Sequence, residues 1–101
     1  MSSEDAMISL DRSLRVLRSA GGGVLKVIHG RGRKNDVSVL KNVLMEWTYK
    51  RRGDIHAVIP GPEFSVTDTN TEAMLKQYPS LAVDADLGNA NTGVTFIWIV
   101  A

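Results

Sequence analysis

The stretch V-I-H-G-R-G-R-K-N-D, at positions 27–36, carries residue types that bind a phosphate group. Its glycines let the backbone approach a ligand closely, and its cations supply positive charge. His29 can exchange a proton near neutral pH, so it is the catalytic candidate. The spacing is neither that of a nucleotide P-loop nor a complete G-x-G-x-x-G, and an ordinary glycine turn with a structural histidine is the alternative. The predicted binding residues are Gly30, Arg31, Gly32, Arg33, Lys34 and Lys41.

The neighbouring elements are expected to place this stretch between a strand and a helix. Residues 24–29 (V-L-K-V-I-H) are apolar and β-branched, which predicts a strand. Asp36 is predicted to cap the helix that follows, because apolar residues then recur at helical spacing. Free N–H groups and the helix dipole favour an anion there. His29 would lie at the carboxyl end of its strand, where open α/β sheets bind ligands.

The remaining pattern predicts a single α/β domain over residues 1–101. A first helix with one apolar face ends at the glycines 21–23, and a second strand over residues 54–59 is broken by Pro60-Gly61-Pro62. The alternation of helices and strands predicts a two-layer α/β sandwich, in which two main helices cover a small mixed sheet. The strand–helix–strand unit is expected to hold its two strands parallel.

The last strand gives the strongest strand signal in the chain. Residues 93–100 (G-V-T-F-I-W-I-V) are apolar on both faces apart from Thr95, so we place them inside the sheet. An irregular insert precedes them at about residues 65–90, which is long for a compact domain. Within it, Thr71–Tyr78 is predicted to be a short helix and Leu81–Asp86 an extended edge segment.

Composition excludes several classes of site. The chain has 101 residues, no cysteine and two histidines, so neither a disulfide framework nor a structural zinc site is expected. No apolar run reaches the ~18 residues of a membrane span, and the N-terminus is unlike a signal peptide. We therefore expect an intracellular, cytoplasmic protein without a membrane partner. Residues 1–56 hold eleven of the twelve Lys and Arg residues and six of the eleven acids. This asymmetry indicates a polyanion-facing first half, with solvated helix faces as the alternative.

In their order and spacing, several segments resemble the Smr (small MutS-related) domain family. The H-G-R-G at positions 29–32 resembles that family's H-G-x-G signature, and the segments around it resemble the family's helices and strands. The resemblance covers residues 4–62 and 91–100. Its segments are E-D-A at 4–6, V-L-K-V-I-H-G-R-G at 24–32, V-L-K-N-V-L-M-E-W-T at 39–48, D-I-H-A-V-I-P-G-P at 54–62 and N-T-G-V-T-F-I-W-I-V at 91–100.

The resemblance implies a four-stranded sheet with two helices, similar to the C-terminal domain of translation initiation factor three. It implies DNA or RNA as the partner, bound at the residues named above, with endonuclease nicking as a further activity that involves His29. If the chain cleaves, the resemblance implies Mg²⁺ or Mn²⁺, and no other cofactor is expected. The alternative is a catalytically inactive protein-interaction module that retains the fold, with the 65–90 insert as the surface for a protein partner.

Two features depart from the family's pattern. The strand with an L-D-L-H-G motif that usually precedes the first helix has no counterpart, because Leu10-Asp11-Arg12 lies within that helix by periodicity. The chain is therefore expected to be a truncated member, or to take this strand from elsewhere. The insert is the second departure, and Leu81–Val83 is the candidate replacement strand. His29 thus lacks an obvious partner acid, and His56 is expected at the other end of the sheet, ~12 Å or more away.

Overall fold

The computed structural model describes residues 3–30 and 34–101, with the backbone alone for residues 34–38. Its α-helices are α1 (Ser3–Ser19), α2 (Lys34–Lys50) and α3 (Thr69–Gln77), and its strands are β1 (Gly23–Ile28), β2 (Ile55–Pro60) and β3 (Val94–Ile99). Short 3₁₀ turns follow α2, β2 and α3, at Arg52–Asp54, Gly61–Glu63 and Pro79–Val83. These elements confirm the predicted α/β class.

The strand order is β1–β3–β2, and β3 pairs antiparallel with both neighbours. The prediction that the last strand lies inside the sheet is confirmed. β1 and β2 run parallel to each other, as expected, but β3 separates them. The described pairs are therefore all antiparallel, whereas a mixed sheet was predicted, and they form three strands rather than the four that the resemblance implies. The connection from β1 through α2 to β2 leaves space for one strand between β1 and β2, and β3 occupies that space.

Helices α1 and α2 cover one face of this sheet. The indole of Trp47 is 1% exposed and lies in a core that both helices and β3 share. Asp11 joins the two helices, because its carboxylate accepts hydrogen bonds from Trp47 Nε1 (2.8 Å) and Arg51 Nε (2.9 Å). These bonds, first that from Arg51, lower the pKa of Asp11. The buried residues of this core are Leu10, Leu14, Leu44, Trp47, Ile97 and Ile99.

The insert covers the opposite face of the sheet. The rings of Phe64 and Phe96 are stacked with centroids 3.9 Å apart, and both are fully buried beside Met74 of α3. Lys26 of β1 ties the insert to the sheet edge, since its Nζ lies 3.1 Å from Asp84 Oδ1 and 2.6 Å from Asp86 Oδ2. The insert is therefore part of the core.

The short helix predicted within the insert is confirmed by α3, but the predicted strand is not. Residues Pro79–Val83 form a 3₁₀ turn that pairs with no strand, so Leu81–Val83 does not replace a missing strand. Proline at the start of this segment favours a turn, and the turn lets Leu81 pack on the Phe96 core. None of the described helices is long and apolar enough to cross a membrane.

Replacement Phe64→Ala tests whether the insert is part of the core. We expect a loss of about 3–5 kcal/mol in the free energy of unfolding, because a large buried side chain leaves a cavity. Val66→Ala is the control, since Val66 is 65% exposed in the same segment and should change stability by less than about 0.5 kcal/mol. Urea unfolding measures both. Equal midpoints for the two variants would contradict a core role for the insert.

Candidate functional site

The chain leaves β1 in a turn that Gly93 holds in place. The backbone N–H groups of His29 and Gly30 both donate to Gly93 O, at 2.9 and 3.0 Å. Gly30 has φ +81°, in the left-handed region that costs other residues about 1–2 kcal/mol. The first glycine of the H-G-R-G sequence is therefore required by the backbone at the point where the chain departs from the sheet.

His29 is the buried polar residue of this turn. It follows Leu25 and Val27 on the side of β1 that faces the helices, and it is 6% exposed. Its Nε2 is hydrogen-bonded to Thr95 Oγ1 at 3.0 Å. Its Nδ1 is buried and has no hydrogen-bond partner among the described residues. Buried polar atoms without a hydrogen-bond partner are exceptions in native proteins, so Nδ1 is a candidate to bond to a further group.

The environment of His29 favours its neutral form. Burial is the main cause that lowers the pKa of His29, and the positive charge of Lys41 is the second. The nearby backbone of Val94 acts in the opposite direction and raises the pKa. Lys41, which is exposed on α2, therefore acts on the imidazole through its charge.

The structure describes some of the predicted site residues and not the others. His29 and Gly30 follow β1, and Lys41 lies exposed on α2. Lys34 is the first residue of α2, so the prediction of Asp36 as the helix cap is wrong, because the helix begins two residues earlier. Arg31, Gly32 and Arg33 lie outside the described residues, as does the side chain of Lys34.

His56 does not pair with His29. In the register of the sheet, His29 lies beside Gly93, whereas His56 lies beside Trp98 and Ile99 at the other end of β3. The predicted separation of the two histidines is confirmed. The exposed ring of His56 packs against Trp98, with centroids 4.1 Å apart.

Sequence reasoning missed Thr95 as the partner of His29. The signal was available, because Thr95 is the one polar side chain in the run V-T-F-I-W-I-V. A hydroxyl on a buried strand needs a hydrogen-bond partner, and the candidate histidine was available to supply one.

Some of the described cations form ion pairs within the fold, whereas others face solvent without contact with a carboxylate. Arg18, Lys26, Lys50, Arg51 and Lys76 each contact a carboxylate. Among the described side chains, the cations without such a contact are Arg12, Arg15, Lys41 and Arg52. No three His, Cys, Asp or Glu side chains of the described residues converge, so they do not fit Mg²⁺ or Mn²⁺ as a ligand set. We therefore assign no step to a metal ion.

The family model of the Smr domain matches residues 1–99 of the chain. The match contains the segments of the resemblance up to residue 99 and also the insert. Comparisons with curated protein sequences and with solved structures give no significant match.

Because the pKa of His29 is lowered, we expect the free energy of unfolding to decrease as the pH decreases. Above pH ~6.5 the imidazole is neutral in both states and contributes nothing. Below that pH the unfolded chain takes up the proton first, so the free energy of unfolding drops by at most about 1.4 kcal/mol per pH unit. Urea unfolding between pH 5 and pH 7.5 should show a steeper drop for the wild type than for His29→Asn, since His56 is present in both. Parallel curves would contradict the buried neutral imidazole.

Proposed function

The chain belongs to the Smr domain family, and we propose that it binds nucleic acid through the turn after β1 and the N-terminus of α2. Members of this family generally bind or nick nucleic acid. The observation that carries the proposal is the turn of His29 and Gly30, which Gly93 holds through two backbone hydrogen bonds and which is separated from the start of α2 by three residues of the sequence. The proposed phosphate-binding residues are Gly30, Arg31, Gly32, Arg33, Lys34 and Lys41.

Phosphate is the ligand that this arrangement suits. The 17 residues of α2 form a helix whose first N–H groups have no intrahelical partner, and its dipole favours an anion at that end. Arg31 and Arg33 stand between Gly30 and the helix in the sequence. Lys41 adds a charge without an acidic partner among the described residues. Contacts with phosphates carry no sequence information, so binding at this site is sequence-tolerant.

Nicking is a second candidate function, and the free Nδ1 of His29 favours it. A neutral imidazole has one N–H and one lone pair, and Nε2 is already bonded to Thr95. Nδ1 therefore keeps the capacity to donate or accept one proton, as general acid–base catalysis requires. The site has no second histidine, because His56 lies at the other end of the sheet.

Salt-dependent binding tests the proposed site. Fluorescence anisotropy with single- and double-stranded DNA and RNA, at about 50 and 200 mM salt, should give an affinity that falls steeply as salt rises. The double variant Arg31→Ala with Arg33→Ala should lose about tenfold or more, and Lys41→Ala should lower the salt slope by about 1. Lys76→Ala is the matched control, because Lys76 is exposed and paired with Glu72 on α3. Absence of salt-sensitive binding to every probe would refute the proposal and favour a protein-interaction module.

Cleavage is tested with the same mixtures on a denaturing gel, with Mg²⁺ or Mn²⁺ added. If His29 takes part, the wild type nicks the probe and His29→Asn loses at least about a hundredfold in rate while its binding persists. Equal rates for the two proteins would exclude a catalytic role for His29. A thermal melt of each variant checks that the fold is retained.

A further inference from the structure

An exposed aromatic ring and a positive charge lie together at the other end of the sheet from His29. A shallow groove runs there between the C-terminal end of α2 and the edge strand β2. We name two of the polar side chains that line it, Tyr49 and Arg52, the ring platform. Neither residue belongs to the phosphate site proposed above.

Arg52 is held on the ring of Tyr49. Its Cζ lies 4.4 Å from the ring centroid, and its Nη1 donates to the backbone carbonyl of Tyr49 at 2.8 Å. Tyr49 is 68% exposed, and Arg52 has no ion pair with a described acid. A guanidinium fixed in this way offers its flat surface to a ligand at a small further loss of conformational freedom.

The strand that forms one wall of the groove is irregular at His56. The β2–β3 register shifts between Ile55 and Ala57, so His56 is the extra residue of a bulge. Bulges redirect side chains and are frequent beside functional sites. The exposed ring of His56 packs against Trp98, at a centroid distance of 4.1 Å, on the face of the sheet that the insert covers.

The charges of the groove fit an anion. No carboxylate of the described residues lines it, and Asp54 beside it in sequence is paired with Arg18 at 3.1 Å. A flat ring attached to a phosphate satisfies both the aromatic face of Tyr49 and the guanidinium of Arg52, and a nucleotide has both parts. An added peptide strand suits this edge poorly, because the bulge interrupts the edge and Pro60 has no N–H.

One exposed stripe of α2 connects the platform to the phosphate site. Lys41, Met45, Tyr49 and Arg52 follow each other at i, i+4, i+8 and i+11, which places them on one side of the helix and of the turn that continues it. Met45 is 63% exposed. The distance from Lys41 to Arg52 is about 16 Å at ~1.5 Å per residue. A strand bound at the first site can follow this stripe to the platform.

We propose that the ring platform stacks an unpaired nucleobase, so that the protein prefers single-stranded to duplex nucleic acid. This inference rests on the proposed nucleic-acid binding and adds a substrate class to it. A duplex keeps the faces of its bases inside the stack, whereas a single strand exposes them to aromatic and guanidinium surfaces.

The test measures anisotropy with three probes of equal length, about 12 nucleotides. They are a single strand, the corresponding duplex, and an abasic single strand that keeps the phosphates without the bases. Tyr49→Ala should weaken binding of the single strand roughly five- to a hundredfold and leave the other two probes unchanged. Arg52→Ala should weaken single-strand binding most strongly among the three probes, and Arg52→Lys should restore only part of it, since lysine lacks the planar group.

Two controls keep the outcomes distinct. Lys50→Ala removes a neighbouring charge that is paired with Glu46, and it should leave single-strand binding unchanged. Tyr49→Trp keeps an aromatic face and should restore binding. Equal losses for all three probes, or no loss with Tyr49→Ala, would overturn the ring platform even if the Arg31 and Arg33 double variant abolishes binding. Failure of the wild type to bind any probe at low salt would overturn the proposed function as well.

Discussion

The burial of β3 on both faces is the constraint on which the rest of the fold depends. Ile97 and Ile99 face the helices, whereas Val94 and Phe96 face the insert, and all four are buried. A strand with two apolar faces requires a cover on each side. Two helices supply one cover, and the segment from Phe64 to Leu87 supplies the other. The same strand provides the hydrogen-bond partners of both neighbouring strands.

The candidate site follows from this central strand. Thr95 and Gly93 stand at the start of β3, and they hold the imidazole and the backbone of the turn after β1. The proposed phosphate site therefore lies beside the start of the central strand. Such support keeps a binding turn in one geometry, because the backbone of the turn and the ring of His29 are each bonded to β3.

Ion pairs within the fold change how the charge of the sequence is understood. Arg51 is bound to Asp11, and Lys26 is bound to Asp84 and Asp86, so these cations stabilise contacts between elements. Asp68, an acid of the insert, also stabilises the fold, since its carboxylate accepts a hydrogen bond from the N–H of Thr71 and so caps α3. The net charge of each half therefore says less about partners than the exposed cations along α2, which join the proposed phosphate site to the ring platform.

The sequence by itself determined most of the elements and the place of the turn after β1. Helical spacing of apolar residues marked α1 and α2, the doubly apolar run marked β3 as central, and the glycine and histidine after β1 marked the turn. These features are local, so residue type and spacing are enough to specify them. The tertiary structure decided that β3 lies between β1 and β2, that residues 79–83 turn instead of forming a strand, and that Thr95 bonds to His29. Each of these depends on contacts between residues distant in the chain, which local spacing does not encode. The stripe from Lys41 to Arg52 depends on both sequence and tertiary structure. Helical periodicity places its residues on one side of the helix, and packing decides that this side faces solvent.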